Sequence, residues 1–431
     1  MDDPAARTNS AFGKLERIQQ ILREFQPDIG PFIEAYKDIH QHPELSGFES
    51  RTAEAVAGHL RDIGAVEIST SVGGHGVVGI MRNGDGKTIL LRAELDALPI
   101  EEQTGLPYAS KARMKDREGR DQPVMHACGH DVHIACVLAT LQLLRSAAQH
   151  WSGTVVAVFQ PDEETPTGAQ AMIDDGLYPL CPRPDIMLAQ HVGMSKAGLV
   201  AVRTGPVLPA ADYLEITLVS SGPGANPPER PDPVNLAAYL LTRFQAMMAT
   251  DIGSGTFSSL VCRDLHAGQR GDFFTNRLEM RLEIKTIEAS KRDRIFDAIK
   301  SITRAECDAI YAGLVRASFQ WTPRAPVTLN DTPLAEALQD SFGRHFGDRF
   351  WVPPMDIPVE DFSLLSGPEP VPFVYWKLGS TEPDKWDKAV KKGGNILEHL
   401  PSNHSPKFAP DAELTISTGM EAMSLATLLF L

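Results

Sequence analysis

The sequence predicts an α/β protein: a mostly parallel sheet with helices on both faces, interrupted by a smaller inserted α+β unit. Two observations predict it. Between Thr88 and Ala189, short apolar strand runs alternate with segments of helical periodicity, the pattern of a doubly covered parallel sheet. Between Asp212 and Trp321 the elements instead follow the order βαββαβ, which describes a self-contained ferredoxin-like unit.

Each element rests on its own residues. Val56, Leu60 and Ile63 recur at helical spacing, and Pro43 and Gly47 punctuate, so two helices are expected near Pro31 to His42 and Phe48 to Ile63. Val77 to Met81 and Thr88 to Arg92 read as strands, and the Asn83-Gly84-Asp85-Gly86 run between them predicts a hairpin. Lys111 to Gln122 alternates in charge without an apolar face and reads as a solvated excursion. Beyond His130, the residues Ile134, Val137, Leu138, Leu141 and Leu144 mark one face of a long helix. A buried strand from Thr154 to Phe159, a helix near Gly168 to Asp175 and a strand from Ile186 to Ala189 follow.

The inserted unit is expected to contain a strand at Tyr213 to Val219, a helix at Asp232 to Thr250, and strands at Gly255 to Leu265 and Leu278 to Ile287. A helix at Lys291 to Cys307 and a strand at Ala317 to Trp321 complete it. The expected domains are therefore residues 1–209 and 325–431 as the two parts of one domain, with 210–324 inserted between them. The apolar run Met423 to Leu431 is too short to span a bilayer and reads as the end of a docked core helix.

Composition excludes several classes of function. The chain has 431 residues, 42% of them hydrophobic and 23% charged, as in an ordinary globular protein. Its formal net charge of −15 argues against a broad footprint for nucleic acid or an anionic membrane. Five cysteines without a CxxC pair argue against a disulfide framework and for a reducing compartment, with the cytoplasm as the default. The first thirty residues show no apolar core of a secretory signal.

Candidate chemistry gathers at predicted strand ends. Met125 to His133 places Cys128 and His130 on one loop at a helix entrance, and thiolate with imidazole suits a borderline transition metal. A structural cysteine and histidine are the alternative there, and His133 and Cys136, inside the helix, take that structural reading. Phe159 to Pro166 carries Glu163 and Glu164 directly after a buried strand, where the sites of open α/β sheets form. Adjacent carboxylates diverge, so one can bind metal while the other reaches a water as general base; a solvated acidic turn fits the same run. His191, Glu94 and Asp96 follow further strands, while His404 alone reads as a surface histidine.

Five motifs in this order resemble the metallopeptidase superfamily of aminoacylases, hippurate hydrolases, carboxypeptidase G and the plant auxin-conjugate amidohydrolases, from about Ile39 to the C-terminus. They are His40-Gln41-His42-Pro43-Glu44-Leu45-Ser46, Leu91 to Pro99, Met125 to His133, Gln160 to Glu164, and His404-Ser405-Pro406. The match is closest to the amidohydrolase branch. The resemblance implies two divalent metal ions, manganese or zinc, with Cys128 bridging. It implies that His130 and His191 complete one ion, and Glu164 and His404 the other. Glu163 then takes the role of general base, Asp96 supports a metal ligand, and Glu94 stands where this branch usually has another Asp. The expected substrate is a small N-acylated amino acid or related metabolite, cleaved to a carboxylic acid and an amine.

The inserted unit resembles the family's lid and dimerisation domain, which implies a homodimer, but two positions depart. Pro223 stands where related enzymes carry a histidine that holds the carbonyl oxygen, and proline cannot donate a hydrogen bond. Asp272 replaces an asparagine that contacts substrate, which disfavours a substrate carboxylate there. For Pro223, either activity is low, another group such as His266 substitutes, or the substrate differs; for Asp272, Arg270 or Arg277 could compensate. Glu360-Asp361-Phe362-Ser363 also matches a family segment, as metal support or as a helix cap; His42 and Glu44 read as structural. Two rival readings are a metal-stabilised scaffold of the same fold, and a cysteine hydrolase using Cys128 with His130 or His126.

Overall fold

The structure is a computed structural model that describes residues 4–220, 232–250, 255–268, 275–311 and 314–431. It divides into two compact units. One comprises Met1–Val207, Leu329–Met355 and Asp361–Leu431, and the other Leu208–Thr328 with Asp356–Glu360.

Among the described residues, eight strands form the sheet of the larger unit. Across it run Glu67–Val72, Gly76–Asn83, Gly153–Gln160, Thr88–Glu94, Ile186–Lys196, Phe373–Thr381, Val200–Ala201 and Phe350–Trp351. The four central strands, Gly153–Gln160 through Phe373–Thr381, pair in parallel, which sets their carboxyl ends along one edge. Every residue of Thr88–Glu94 and Gly153–Gln160 is buried, as expected for strands covered on both faces. The helix His130–Ser146 is buried nearly all round and packs against Ala412–Phe430, whose C-terminal half holds Met423, Leu425 and Leu428 in the core.

Three expectations are corrected. The strands Gly76–Asn83 and Thr88–Glu94 do not pair as a hairpin, because Gly153–Gln160 lies between them, antiparallel to the first and parallel to the second. Asn83 does mark the reversal. Its amide donates to Ala148 O at 2.6 Å and Trp151 O at 2.7 Å, tying the turn to the segment that feeds the interposed strand. A further helix, Pro4–Glu24, precedes the two expected ones and buries Leu15, Ile18 and Leu22, a spacing readable in the sequence. Finally, Ile186–Lys196 is longer than expected, so His191 lies within the strand and not after it.

The smaller unit is a four-stranded antiparallel sheet in the order Ser258–Ala267, Arg277–Thr286, Ala210–Ser220, Val315–Ala325. Leu214, Ile216 and Leu218 alternate inward and pack with Leu240 and Phe244 of helix Pro233–Met248 and Ile295 and Ile299 of helix Ala289–Tyr311. Asp232 caps the first of these helices by accepting from Val234 N, with Pro233 at its first position. All five cysteines are free thiols. Among the described residues no helix is long and apolar enough to cross a membrane.

Candidate metal centre

The carboxyl edge of the parallel strands brings together the segments singled out above. Cys128, His130 and Glu164 each offer a ligand atom within 4.8 Å of the others. His404 Nε2 lies 3.3 Å from Cys128 Sγ and 3.4 Å from Glu164 Oε1, and His191 Nε2 lies 3.5 Å from Cys128 Sγ. Glu163 Oε2 stands 3.7 Å from His130 Nε2.

Local structure aims each side chain. Gly129 caps the helix His130–Ser146 in the left-handed region at φ 88°, and a Cβ there would sit 2.4 Å from Val192 Cγ2. Gly129→Ala is therefore expected to cost roughly 2–4 kcal/mol from strain and overpacking together. Gly205→Ala, at φ 71° with nothing within 4 Å, should cost only about 1 kcal/mol, and thermal melting of the two variants makes the comparison. Equal losses would contradict the close approach of Val192.

The imidazole tautomers follow from backbone partners. His130 Nδ1 donates to Asp96 O at 2.8 Å, with Asp96 Oδ1 3.2 Å away. Asp96 Oδ2 in turn accepts from Ser46 Oγ at 2.8 Å and Glu164 N at 2.9 Å, so one carboxylate fixes both the His130 ring and the Glu164 loop. His191 Nδ1 donates to Val192 O at 2.8 Å, which turns its Nε2 lone pair toward Cys128.

His133 differs. Its Nδ1 is 2.7 Å from Glu94 Oε2 and its Nε2 accepts from Val192 N at 2.9 Å, so both nitrogens are engaged, within a group of Glu94, His130, His133 and His191 whose ligand atoms lie within 4.8 Å. Glu94 is likewise engaged, by His133 and by Arg92, and is a supporting residue.

The electrostatics favour a cation. Burial, followed by the carboxylates of Glu164 and Glu163, pushes the Cys128 thiol well above its ordinary range. Burial would lower His130, but the carboxylates of Glu94, Asp96 and Glu164 outweigh it and raise the imidazole to about 10. Burial, then His133 and Lys377, hold His191 well below the ordinary value, so it is a neutral lone-pair donor.

The residues also fit a metal. His130 Nε2 is buried without a hydrogen-bond partner among the described residues and faces Glu163 and Glu164. A partnerless ring nitrogen among carboxylates and a thiol, in a field that calls for positive charge, is what a divalent ion satisfies by taking the place of the ring proton. The same field counts against a cysteine nucleophile, which needs a depressed thiol pKa. His126 offers such a nucleophile no activated base, since burial lowers it to about 4.

The other described candidates contribute no atom to the Cys128, His130 and Glu164 triplet, and Asp361 instead groups within 4.8 Å of Glu163 and Glu360. His266 is exposed on the edge strand Ser258–Ala267 of the smaller unit, opposite Glu279. Pro223 and Asp272 fall outside the described residues. His42 is exposed and bonds Asp38 O, and the Glu44 carboxylate accepts from Arg51 N and Thr52 N at the start of helix Ser50–Ile63, so both are structural. Asp361 is fully buried and accepts from Gln160 Nε2 at 2.8 Å, Arg92 at 3.2 Å and Ala169 N at 3.2 Å. Sequence reasoning passed over Arg92, although an arginine inside the apolar run Ile89 to Ala93 is itself a signal of a buried ion pair.

Residues 90–396 match the model of peptidase family M20/M25/M40. The chain is 28% identical over 401 residues to N-acetylcysteine deacetylase of Bacillus subtilis, covering 90% of this chain and 93% of that protein. It is 27% identical over 326 residues to hippurate hydrolase of Campylobacter jejuni, covering 74% and 80%. Among solved structures, the Bacillus subtilis YXEP protein, described as a dinuclear metal binding peptidase from the M20 family, superposes with a TM-score of 0.71 at 24% identity. That match covers 95% of this chain and 100% of the other, and it shows the shared fold.

Proposed function

The chain belongs to peptidase family M20/M25/M40 as a hydrolase of amide bonds, and from that premise we propose a dinuclear metal amidohydrolase that cleaves small N-acylated amino acids or related metabolites. The observation that carries the proposal is the Cys128, His130 and Glu164 triplet, with His191 and His404 within 3.5 Å of its thiol. His130 and His191 would hold one ion and Glu164 and His404 the other, with Cys128 placed to serve both. Two divalent ions held there would polarise a scissile carbonyl and lower the pKa of water. Manganese or zinc suits this donor set.

The chain's own residues do the rest. Glu163, 6% exposed, is the general base: it takes a proton from the attacking water and delivers it to the leaving nitrogen. Asp96 positions His130 and the Glu164 loop. The product pair is a carboxylic acid and an amine, as the names of the deacetylase and hippurate hydrolase relatives suggest.

Substrate contacts from the smaller unit belong to the same proposal. Pro223 removes a hydrogen-bond donor to the carbonyl oxygen, and His266 is assigned to supply it. Asp272 disfavours a free carboxylate in favour of an amide, an ester or a larger acylated metabolite. The smaller unit is assigned as a homodimer contact, and the free thiols fit a cytoplasmic setting.

Chelator-stripped protein reloaded with manganese or zinc tests the reading. Its amine release is measured on N-acyl amino acids, their amides and their esters. Metal-restored release, faster on amides and esters than on free acids, is expected. Release that persists in chelator, or none at all with two ions bound, would contradict it.

A further inference from the structure

Three chain segments that carry the candidate ligands meet at a side chain that ligates nothing. Asn403 precedes His404, and its amide nitrogen donates to Cys128 O at 3.0 Å and to Val192 O at 3.2 Å. Val192 O is the carbonyl that accepts from His191 Nδ1 and so fixes that imidazole. The next residue repeats the grip, since His404 N donates to Ala127 O at 2.8 Å. Two consecutive residues thus hold two consecutive carbonyls of the Cys128 loop, across 275 positions of sequence.

The backbone explains why such a grip is needed. His404 sits at φ 66°, a region a non-glycine residue occupies at a cost of about 1–3 kcal/mol, and only where its surroundings over-determine it. More than half of its side chain is exposed, so packing does not hold the ring. The hydrogen bonds of the Asn403 side chain and of the His404 backbone N–H, both just before its Cα, do.

We propose that Asn403 is a positioning residue that locks the His404 imidazole against the Cys128 and His191 segments and thereby sets the affinity of the ion held by Glu164 and His404. The inference rests on the dinuclear reading above. An asparagine amide supplies both donors without charge. Aspartate has the same shape with no donor and would set a carboxylate against two carbonyls, and leucine has similar bulk with neither. His191 keeps its own bond to Val192 O in either variant, so the ion held by His130 and His191 should be spared.

The test is a manganese titration of chelator-stripped full-length protein, followed by electron paramagnetic resonance. Wild type should bind two ions and show the spectrum of an exchange-coupled pair. In Asn403→Leu and Asn403→Asp, one affinity should stay within about 3-fold while the other falls ~10–100-fold, the range for lost support of a metal ligand. The coupled spectrum should then vanish at manganese levels that fill the wild type, with the melting temperature of the metal-free Asn403→Leu protein lowered by no more than about 5 °C. Two wild-type affinities in both variants would overturn the inference. So would an equal fall of both affinities, which marks a merely structural residue. A wild type that binds fewer than two manganese ions would overturn the dinuclear reading and this inference with it.

Discussion

Glu163→Gln is expected to lower turnover by about 10²- to 10⁴-fold, the contribution of a positioned general base, while both manganese affinities stay at their wild-type values. Glutamine keeps the shape and burial of the side chain but cannot take up a proton. Glu163 Oε2 approaches His130 at 3.7 Å but lies outside the Cys128, His130 and Glu164 triplet, so the ligand set survives. Glu164→Gln is the contrasting variant. It alters the neighbour that contacts both His404 and His130, and it should weaken metal binding first and turnover in consequence. Steady-state kinetics with metal analysis separates the two. A Glu163→Gln protein within a few-fold of wild type would move the base elsewhere and revive the scaffold reading for this carboxylate pair.

The largest stability effect is expected at Arg92. Its guanidinium is fully buried between the buried carboxylates of Glu94 and Asp361, and it also donates to Gln160 Oε1 at 3.0 Å. Removing one partner of a buried ion pair leaves uncompensated charge, so Arg92→Met should destabilise the protein by about 3–5 kcal/mol. The pH dependence has a defined sign. Burial alone would raise Glu94, but Arg92 and then His133 hold its carboxyl well below the ordinary value. The stability it contributes is therefore present above the unfolded carboxylate pKa near ~4.3 and is lost as pH falls through the folded value. In Arg92→Met this acid-labile increment should shrink, and Arg92→Met with Glu94→Gln should recover part of the loss. Denaturant midpoints of the metal-free proteins at pH 7 and then downward to about pH 3, through the unfolded carboxylate value, read both effects. A loss under about 1 kcal/mol would show that the site relaxes around the missing charge.

The contrast between these two residues shows what a sequence can carry. Glu163 and Glu164 are legible because burial of Thr154 to Phe159 is written in the run itself, and the chain direction of a parallel sheet puts the next residues at its carboxyl edge. Cys128 and His130 are legible for the same kind of local reason, two ligand types on one loop before a periodic helix. Arg92 and Asn403 depend on partners 269 and 275 positions away, and no local pattern encodes that distance. His133 and His191 are both buried or half-buried histidines with neighbours of similar polarity. Only the hydrogen bond from Val192 N to His133 Nε2 separates the supporting residue from the candidate ligand.

The hairpin expected at Asn83 to Gly86 fails for a related reason. Turn chemistry specifies that the chain reverses, but strand neighbours are chosen by burial. The apolar Gly153–Gln160 run competes better for the centre of the sheet than either flanking strand does for the other. The smaller unit was legible nearly throughout, because period-2 burial in Ala210–Ser220 and helical periodicity in Pro233–Met248 are both local signals.

One edge of the larger unit's sheet is proposed to hold two divalent ions on Cys128, His130, Glu164, His191 and His404. Anomalous diffraction at the manganese edge from crystals of manganese-loaded protein tests it most directly. Two anomalous peaks are predicted, both against Cys128 Sγ, one contacting His130 and His191 and the other Glu164 and His404. A single peak, or peaks that leave Cys128 uncoordinated, would contradict the account.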